Sequence, residues 1–240
     1  STLDRSSAAS DVYKRQLWRV YAPSRRGVFM SADALSSNRH APLRSDLAMI
    51  SQWIEPGKRV LDLGCGDGAL LAHLADTRQV RGYGLELDTQ NISACIGRGV
   101  NVIQRDLDNG LADFADRSFD YVVMSQALQV VYAPHKLLGE MLRVGCKGIV
   151  TFPNFGHWST RLQLALGGRM PRTRTLPAHW YDTSNIHLCT LNDFEALCAE
   201  KHYRIIDRAV TDAAHREAPG HRFWPNLRAE VGMYLLERSA

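Results

Sequence analysis

The sequence predicts an α/β fold, with a mostly parallel sheet covered by helices on both faces. Two observations lead to this prediction. From about Leu43 onward, short apolar segments typical of buried strands alternate with segments whose apolar residues recur every three or four positions. Between the first strand and the next helix stand three alternate glycines, Gly64, Gly66 and Gly68, where open α/β sheets bind ligands.

The helices are recognised from their apolar periodicity and from the residues that begin them. Ser45 is the expected N-cap of the first helix, Asp88 or Thr89 of the third and Thr190 of the last, because their short polar side chains can accept from free amides. Pro134 suits the first position of the fourth helix. The expected helices cover residues 43–54, 69–75, 89–96, 134–144, 155–166 and 191–201.

The strands are short apolar runs that mostly lie between turn-forming residues. They are expected over residues 58–63, 80–86, 100–104, 119–124, 148–152, 203–209 and 231–238. After Pro153 the strand–helix alternation stops, so we expect one domain over 43–240 with an insertion at about 155–190. Residues 1–42 show no sustained apolar period and are expected to form a poorly ordered or cloning-derived N-terminal extension.

Composition excludes several classes of protein. No apolar run approaches the roughly 20 residues of a membrane helix, and no signal peptide is recognisable, so a cytoplasmic protein without membrane contact is expected. The five cysteines form no CxxC pair and no cluster with zinc-ligand spacing, which predicts reduced thiols and no metal site. The net charge of +4 is not accompanied by a nucleic-acid-binding motif, so nucleic acid is not an expected partner.

The positive charge is concentrated in two stretches. No Asp or Glu occurs from Met141 to Tyr181, and a second stretch runs from His215 to Arg228 against Glu217 alone. Such stretches suit a solvated face, an anionic small substrate or an acidic protein partner. The four arginines of the insertion that we assign to anion or partner binding are Arg161, Arg169, Arg172 and Arg174.

The segment VLDLGCGDG, residues 60–68, fits two classes of nucleotide ligand. The glycine spacing formally matches the dinucleotide fingerprint, and Glu86 lies 20 residues after Gly66. Asp62, two residues ahead of Gly64, argues against this class because its carboxylate would repel a pyrophosphate. The same carboxylate suits the ammonium and sulfonium groups of S-adenosylmethionine, which has no phosphate. The sequence therefore favours S-adenosylmethionine, or its product S-adenosylhomocysteine, as cofactor.

Further cofactor contacts are expected where the following strands end. Glu86 can accept from both ribose hydroxyls, since a carboxylate offers two oxygens. Asp106, or alternatively Asp108, can accept from the adenine amino group, and Leu87 and Leu107 can bracket the ring. The complete predicted cofactor set is Asp62, Gly64, Cys65, Gly66, Gly68, Glu86, Leu87, Asp106, Leu107, Ser125 and Gln126.

Together these residues resemble the class I S-adenosylmethionine-dependent methyltransferases. Four further segments resemble the MetW family of methionine biosynthesis over about Leu43 to Glu237, with Ser184 where a proline is expected. The segments are 125–129 (SQALQ), 152–158 (FPNFGHW), 166–171 (LGGRMP) and 180–187 (WYDTSNIH). The resemblance implies a Rossmann-like, seven-stranded sheet in the order 3-2-1-4-5-7-6, with the last strand antiparallel. It also implies a role in methionine synthesis beside homoserine O-acyltransferase, as a supporting partner.

No catalytic pattern is recognisable in the sequence. The candidates are His157, Tyr181 and His187, with Asn154 and Asp182 as neighbours, and each equally suits a structural role. Three functions remain open: a partner that reads S-adenosylmethionine or its product, a small-molecule methyltransferase with an anionic acceptor, and an NAD(P)-binding oxidoreductase, which Asp62 disfavours.

Overall fold

The computed structural model describes residues 43–212, 214 and 223–239. Seven strands form one sheet in the order β3-β2-β1-β4-β5-β7-β6. The strands are β1 Arg59–Leu63, β2 Arg81–Glu86, β3 Asn101–Gln104, β4 Phe119–Ser125, β5 Gly145–Pro153, β6 Tyr203–Thr211 and β7 Val231–Arg238. The helices are α1 Ser45–Trp53, α2 Ala69–Arg78, α3 Thr89–Gly97, α4 Pro134–Val144, α5 Trp158–Gly167, α6 Leu191–Glu200 and α7 Pro225–Arg228.

The sheet confirms the fold class and the strand order. Strands β1 to β5 pair in parallel, whereas β7 runs antiparallel to both β5 and β6. Alternate side chains of β1 enter two separate cores: Leu61 and Leu63 pack on one face, and Val60 on the other. A strand buried on both faces must be apolar on both, which is why Val60–Leu63 reads as a nearly continuous apolar run. Within that run Asp62 is the exception.

Several predicted boundaries and caps are wrong. Strand β5 begins at Gly145, directly where α4 ends, and not at Gly148. Helix α5 begins at Trp158 and not at Phe155, because the ring of His157 accepts from the amide of Ser159 and caps the helix there. Residues 225–228, expected in a loop, form the short helix α7.

The predicted N-cap is wrong for α1 and correct for α3 and α6. Ser45 is not the cap of α1, since Arg44 occupies that position and makes no side-chain cap hydrogen bond. Asp88, one of the two proposed residues, caps α3 by accepting from two backbone amides. Thr190 caps α6 in a capping box with Asp193, as predicted from its position.

The insertion leaves the domain at the end of β5 and returns to it beside the same point. A bridge pairs Asn154 with Cys189, and the amide of Phe155 donates to the carbonyl of Cys189 at 3.0 Å. Beyond α5, residues 168–190 contain no helix or strand of their own apart from that bridge. The two ends of the predicted insertion at about 155–190 therefore lie close together.

The expectations about membrane helices, metal sites and cysteines can be compared with the described residues, whereas those about the N-terminal extension cannot. None of the helices in the described ranges is long and apolar enough to cross a membrane. Within the same ranges, no three His, Cys, Asp or Glu side chains are grouped so that they could hold a metal ion, and all five cysteines are free thiols. The proposed extension at 1–42 and the basic residues from His215 to Arg222 lie outside the described residues.

We predict that Phe152→Ala destabilises the protein by about 3–5 kcal/mol, because the removed ring leaves a cavity. Phe152 is fully buried, and its ring centroid lies 4.8 Å from that of Phe194 and 5.8 Å from that of Tyr234. Urea unfolding measures the change. Ile96→Ala, at an exposed apolar position of α3, is the control and should change stability by less than about 0.5 kcal/mol. Equal effects of the two substitutions would contradict this account of the core.

Candidate functional site

The predicted cofactor residues lie at one edge of the sheet, at or just after the carboxyl ends of β1, β2, β3 and β4. From β1 the sheet continues to β2 on one side and to β4 on the other. The chain continues from β1 to its neighbour β2 and from β4 to its other neighbour β5, so the two connections leave in opposite directions. The crevice between such connections is the usual ligand position in these sheets.

The glycine loop lies directly under this crevice. Gly64, Gly66 and Gly68 have φ values of 71°, 56° and 75°, in the left-handed region that favours glycine. The amide of Gly64 donates to the carbonyl of Leu85 at 2.8 Å, which joins the loop to the end of β2. At Gly68 a Cβ would also lie 2.9 Å from Sγ of Cys95. The loop therefore needs glycine for its backbone conformation and, at Gly68, for space.

Glu86 holds the loop from the neighbouring strand. Its Oε2 accepts from the amide of Gly66, and its Oε1 accepts from the amides of Leu87 and Asp88, each at 2.9 Å. Three backbone donors fix the carboxylate in one orientation, as charge-assisted hydrogen bonds do. The sequence predicted Glu86 at the site but not its bond across to Gly66.

Asp62 is buried beneath the loop without a full set of partners. Its side chain is 3% exposed, and Oδ1 has no hydrogen-bond partner. Burial, and secondly the charge of Glu86, raise the pKa of Asp62 from 3.8 to about 7. A buried carboxylate with an unsatisfied oxygen is costly unless a cationic group or a donor is supplied. The chemistry of this site therefore fits a cationic ligand group and does not fit a pyrophosphate.

Cys65 enters the site through its backbone and not through its thiol. Its Sγ lies 3.8 Å from Sγ of Cys95, and a Cβ on Gly84 would collide with it. The hydrogen bond with Cys95, together with burial, raises the pKa of the Cys65 thiol well above its ordinary value. The thiol therefore stays protonated and packs the loop against β2.

The remaining predicted cofactor residues follow β2 and β3. Asp106 caps a turn of 3₁₀ helix, Leu107–Asn109, with Oδ1 accepting from the amide of Asp108 at 3.0 Å. Asp108 itself accepts from the amide of Tyr132 at 2.8 Å. Leu107 approaches the glycine loop, since a Cβ on Gly64 would lie 3.9 Å from its Cδ1. Leu87 is exposed at the end of β2.

The end of β4 carries a strained residue that the sequence alone did not single out as such. Gln126 has φ 55°, which is unfavourable for a residue other than glycine. Its amide donates to Oγ1 of Thr151, which also lies 3.2 Å from Oγ of Ser125. Thr151 was absent from the predicted site, although a threonine within the apolar run of β5 is a recognisable signal.

Two amide side chains beside this turn keep unpartnered atoms. Nε2 of Gln126 and Oε1 of Gln129 are buried and have no hydrogen-bond partner, although Nε2 of Gln129 donates to the carbonyl of Gln126. The carbonyl of Gln129 accepts from the amides of Ile186 and His187, which ties the insertion to this turn. Gln129 was absent from the predicted site, although it lies in the segment 125–129.

The candidate catalytic residues mostly have structural partners. Nδ1 of His157 lies 2.7 Å from Oγ of Ser159 at the start of α5, and Nε2 of His187 lies 3.1 Å from the carbonyl oxygen of Tyr132. Tyr181 is 64% exposed and stacks on His179.

Asn154 has no group left to offer to a substrate. Its Nδ2 donates to the carbonyls of Asn226 and Ala229, and its Oδ1 accepts from the amides of Gly156 and Leu191. Asp182, the other neighbour considered, donates its amide to the carbonyl of His179 within the insertion. His157, Tyr181 and His187 each have a neighbour that suits a structural role, and their assignment to catalysis stays a prediction.

The four arginines of the insertion are exposed. Nε of Arg161 donates to the carbonyl of Gly156, and Nε of Arg172 to that of Pro177. Across the described part of the chain, neither these two residues nor Arg169 and Arg174 form an ion pair. No carboxylate among the described residues therefore neutralises their charges.

The strand order and the glycine loop define the class I S-adenosylmethionine-dependent methyltransferase fold, and solved structures agree. An S-adenosylmethionine-dependent methyltransferase from Mesorhizobium loti superposes with a TM-score of 0.58 at 17% identity, covering 80% of this chain and 96% of that one. A Haemonchus contortus phosphoethanolamine N-methyltransferase 2, in complex with S-adenosyl-L-methionine, gives 0.57 at 15% identity, covering 81% of this chain and 52% of that one.

The chain belongs to the MetW family, whose model, described as methionine biosynthesis protein MetW, matches residues 44–236. A bifunctional methionine biosynthesis protein MetXA/MetW from Rhodopirellula baltica is 35% identical over 208 residues, which cover 82% of this chain and 33% of that protein. A ribosomal protein L11 methyltransferase from Burkholderia mallei is 30% identical over 110 residues, covering 45% of this chain and 35% of that protein. The chain thus spans about a third of the length of these curated relatives.

We predict that Asp62→Asn stabilises the ligand-free protein increasingly as pH rises. The folded-state pKa of about 7 lies above the ordinary 3.8, so between these values the folded protein binds more protons than the unfolded chain and loses stability with rising pH. The asparagine removes this loss. Urea unfolding should show the variant's advantage growing by about 2–3 kcal/mol between pH 5 and 7 and levelling above 7. An advantage that does not change with pH would contradict the burial of an ionisable Asp62.

Proposed function

We propose that this protein binds S-adenosylmethionine or S-adenosylhomocysteine and acts in methionine biosynthesis as a supporting or regulatory partner of homoserine O-acyltransferase. The observation that carries the cofactor assignment is Asp62, a buried carboxylate with an unpartnered oxygen under a glycine loop. A ligand with a positive charge relieves both the missing hydrogen bond and the repulsion from Glu86.

In this proposal the acidic residues and the two leucines each bind a different group of the cofactor. Asp62 receives the ammonium group of the cofactor, and Glu86 accepts from the ribose hydroxyls with the lone pairs that its three backbone donors leave. Asp106 accepts from the adenine amino group between Leu87 and Leu107. Asp108 is the weaker candidate because it already accepts from the amide of Tyr132.

A second candidate function is methyl transfer to a small acceptor. The observation that favours it is the pair of buried, unpartnered amide atoms of Gln126 and Gln129 beside the crevice, which could orient an acceptor. The cofactor would supply an electrophilic methyl group, and the exposed arginines would hold an anionic acceptor. We rank this function second because His157 and His187 are engaged by Ser159 and Tyr132.

The partner assignment is supported by the Rhodopirellula relative. That protein is named for MetXA as well as MetW, and this chain matches a third of it. We take the MetXA part to be homoserine O-acyltransferase. The unneutralised arginines of the insertion provide charge for an acidic partner surface. Free thiols at all five cysteines suit the reducing cytoplasm, where we expect the protein to act.

Isothermal titration with S-adenosylmethionine tests the cofactor site. We expect saturable binding that weakens about 10- to 100-fold in Asp62→Asn and in Glu86→Gln, because each loses a charged hydrogen bond. Asp76→Asn, an exposed carboxylate of α2, should bind as the unaltered protein does. Mass spectrometry of denatured protein identifies any nucleoside that co-purifies. Unchanged affinity in both site variants would refute the cofactor assignment, and a bound dinucleotide would favour the oxidoreductase alternative.

Co-purification with the homoserine O-acyltransferase of the same organism tests the partner role. We expect a complex that weakens about tenfold when Arg169→Glu and Arg172→Glu are combined, because like charges then face an acidic surface. Arg81→Glu, at an exposed position on β2, is the control. Turnover of S-adenosylmethionine with a cell extract, in the absence of a complex, would instead support the methyltransferase function.

A further inference from the structure

Helix α5 presents an unusual surface for a helix of a folded domain. Thr160 is its only buried residue, and every residue from 161 to 170 is exposed. Most helices of a globular protein bury a continuous apolar stripe against the core. Helix α5 instead leaves its apolar residues in solvent.

The exposed apolar residues form a line and are not scattered. Trp158, Leu162 and Leu166 recur every four positions, so they follow one face of α5, and Met170 continues the series beyond the helix end. They are 53%, 48%, 80% and 47% exposed, respectively. We call these four residues the α5 stripe. Single exposed leucines are ordinary, but a contiguous patch of large apolar side chains marks an interaction surface.

The α5 stripe lines a shallow surface depression that has arginine side chains beside it. Leu162, Leu166 and Met170 line one shallow depression together with Arg169. Apolar anchors spaced by four residues are what a helix offers when it lies in a groove of another protein. The unneutralised arginines beside them predict that this groove is apolar at its centre and acidic at its edge.

We propose that the α5 stripe is the surface that docks into homoserine O-acyltransferase, an inference that rests on the partner role proposed above. Contact with a second copy of this chain would bring the two sets of arginines together, which is unfavourable. In the Rhodopirellula relative the two parts share one chain, so they meet at high effective concentration, and facing surfaces are expected on both.

The position of α5 gives this contact a route to the cofactor site. The helix follows β5 after a few residues, and its base is fixed by the cap at His157 and by the hydrogen bonds of Asn154. It therefore starts at the same edge of the sheet as the crevice. The segment 180–187 ends two residues before Cys189, whose bridge to Asn154 lies at the base of α5, and Gln129 ties Ile186 and His187 to the turn after β4.

Affinity for the acyltransferase, measured by surface plasmon resonance with the full chain, tests the proposal. The double variant Leu162→Glu, Leu166→Glu should bind the acyltransferase at least about tenfold more weakly, since removal of two anchor residues typically costs that much. Its affinity for S-adenosylmethionine and its thermal midpoint should stay unchanged. Ile96→Glu, at a 66% exposed position on α3, is the matched control and should bind normally.

The outcomes separate the inference from the proposed function. If the unaltered protein does not bind the acyltransferase, the partner role fails and the docking surface falls with it. If it binds and the double variant binds equally well, only the docking surface is wrong. A change of oligomeric state in light scattering without loss of acyltransferase affinity would identify a self-association surface and overturn the inference. Leu166→Glu alone, at the most exposed position, serves if the double variant misfolds, and should still weaken binding severalfold.

Discussion

The candidate site depends on the hydrogen bonds that the carboxylate of Glu86 accepts from three backbone amides. This carboxylate accepts hydrogen bonds from the amide of Gly66 in one loop and from the amides of Leu87 and Asp88 in another. It therefore joins the ends of two neighbouring strands. Without it, three backbone donors would lose their partner. The order of the sheet matters for the same reason, because only adjacent β1 and β2 allow one side chain to reach both loops.

Glu86 and Asp62 also oppose each other. Glu86 lowers the energy of the loop, but its charge makes ionised Asp62 less favourable beneath the loop. The ligand-free protein therefore carries an electrostatic cost that a cationic ligand removes. Such a cost at a binding site is common, since sites arranged for a ligand are rarely optimal for stability.

The sequence predicts the architecture well because the signals are local and repeated. Strand–helix alternation, the glycine spacing and the acid that ends β2 each depend on residues close together in the chain. The first residues of α5 were misplaced because the capping side chain, His157, acts through a ring nitrogen, which no propensity scale emphasises. The arrangement around Asn154 joins residues from three distant segments, and such long-range hydrogen bonds leave no periodic pattern in the sequence.

Function was harder to read than fold for a related physical reason. Histidine and asparagine suit catalysis and structural hydrogen bonding equally, and their type does not distinguish the two uses. Both side-chain atoms of the Asn154 amide are hydrogen-bonded to backbone groups, Nδ2 to Asn226 in α7 and Oδ1 to Gly156 in the insertion. The unpartnered atoms of Gln126 and Gln129 became evident only from burial, which depends on the complete packing of the turn after β4.

The bridge between Asn154 and Cys189 has a consequence for how this family can diversify. The insertion begins and ends at adjacent points of the sheet. Its length therefore does not change the distance that the connection has to span. Because the entropy of closing a loop grows only slowly with the number of residues, such an excursion can be lengthened, shortened or exchanged at little cost to the domain. The sheet and its glycine loop can therefore be inherited unchanged while the excursion evolves toward new molecular associations.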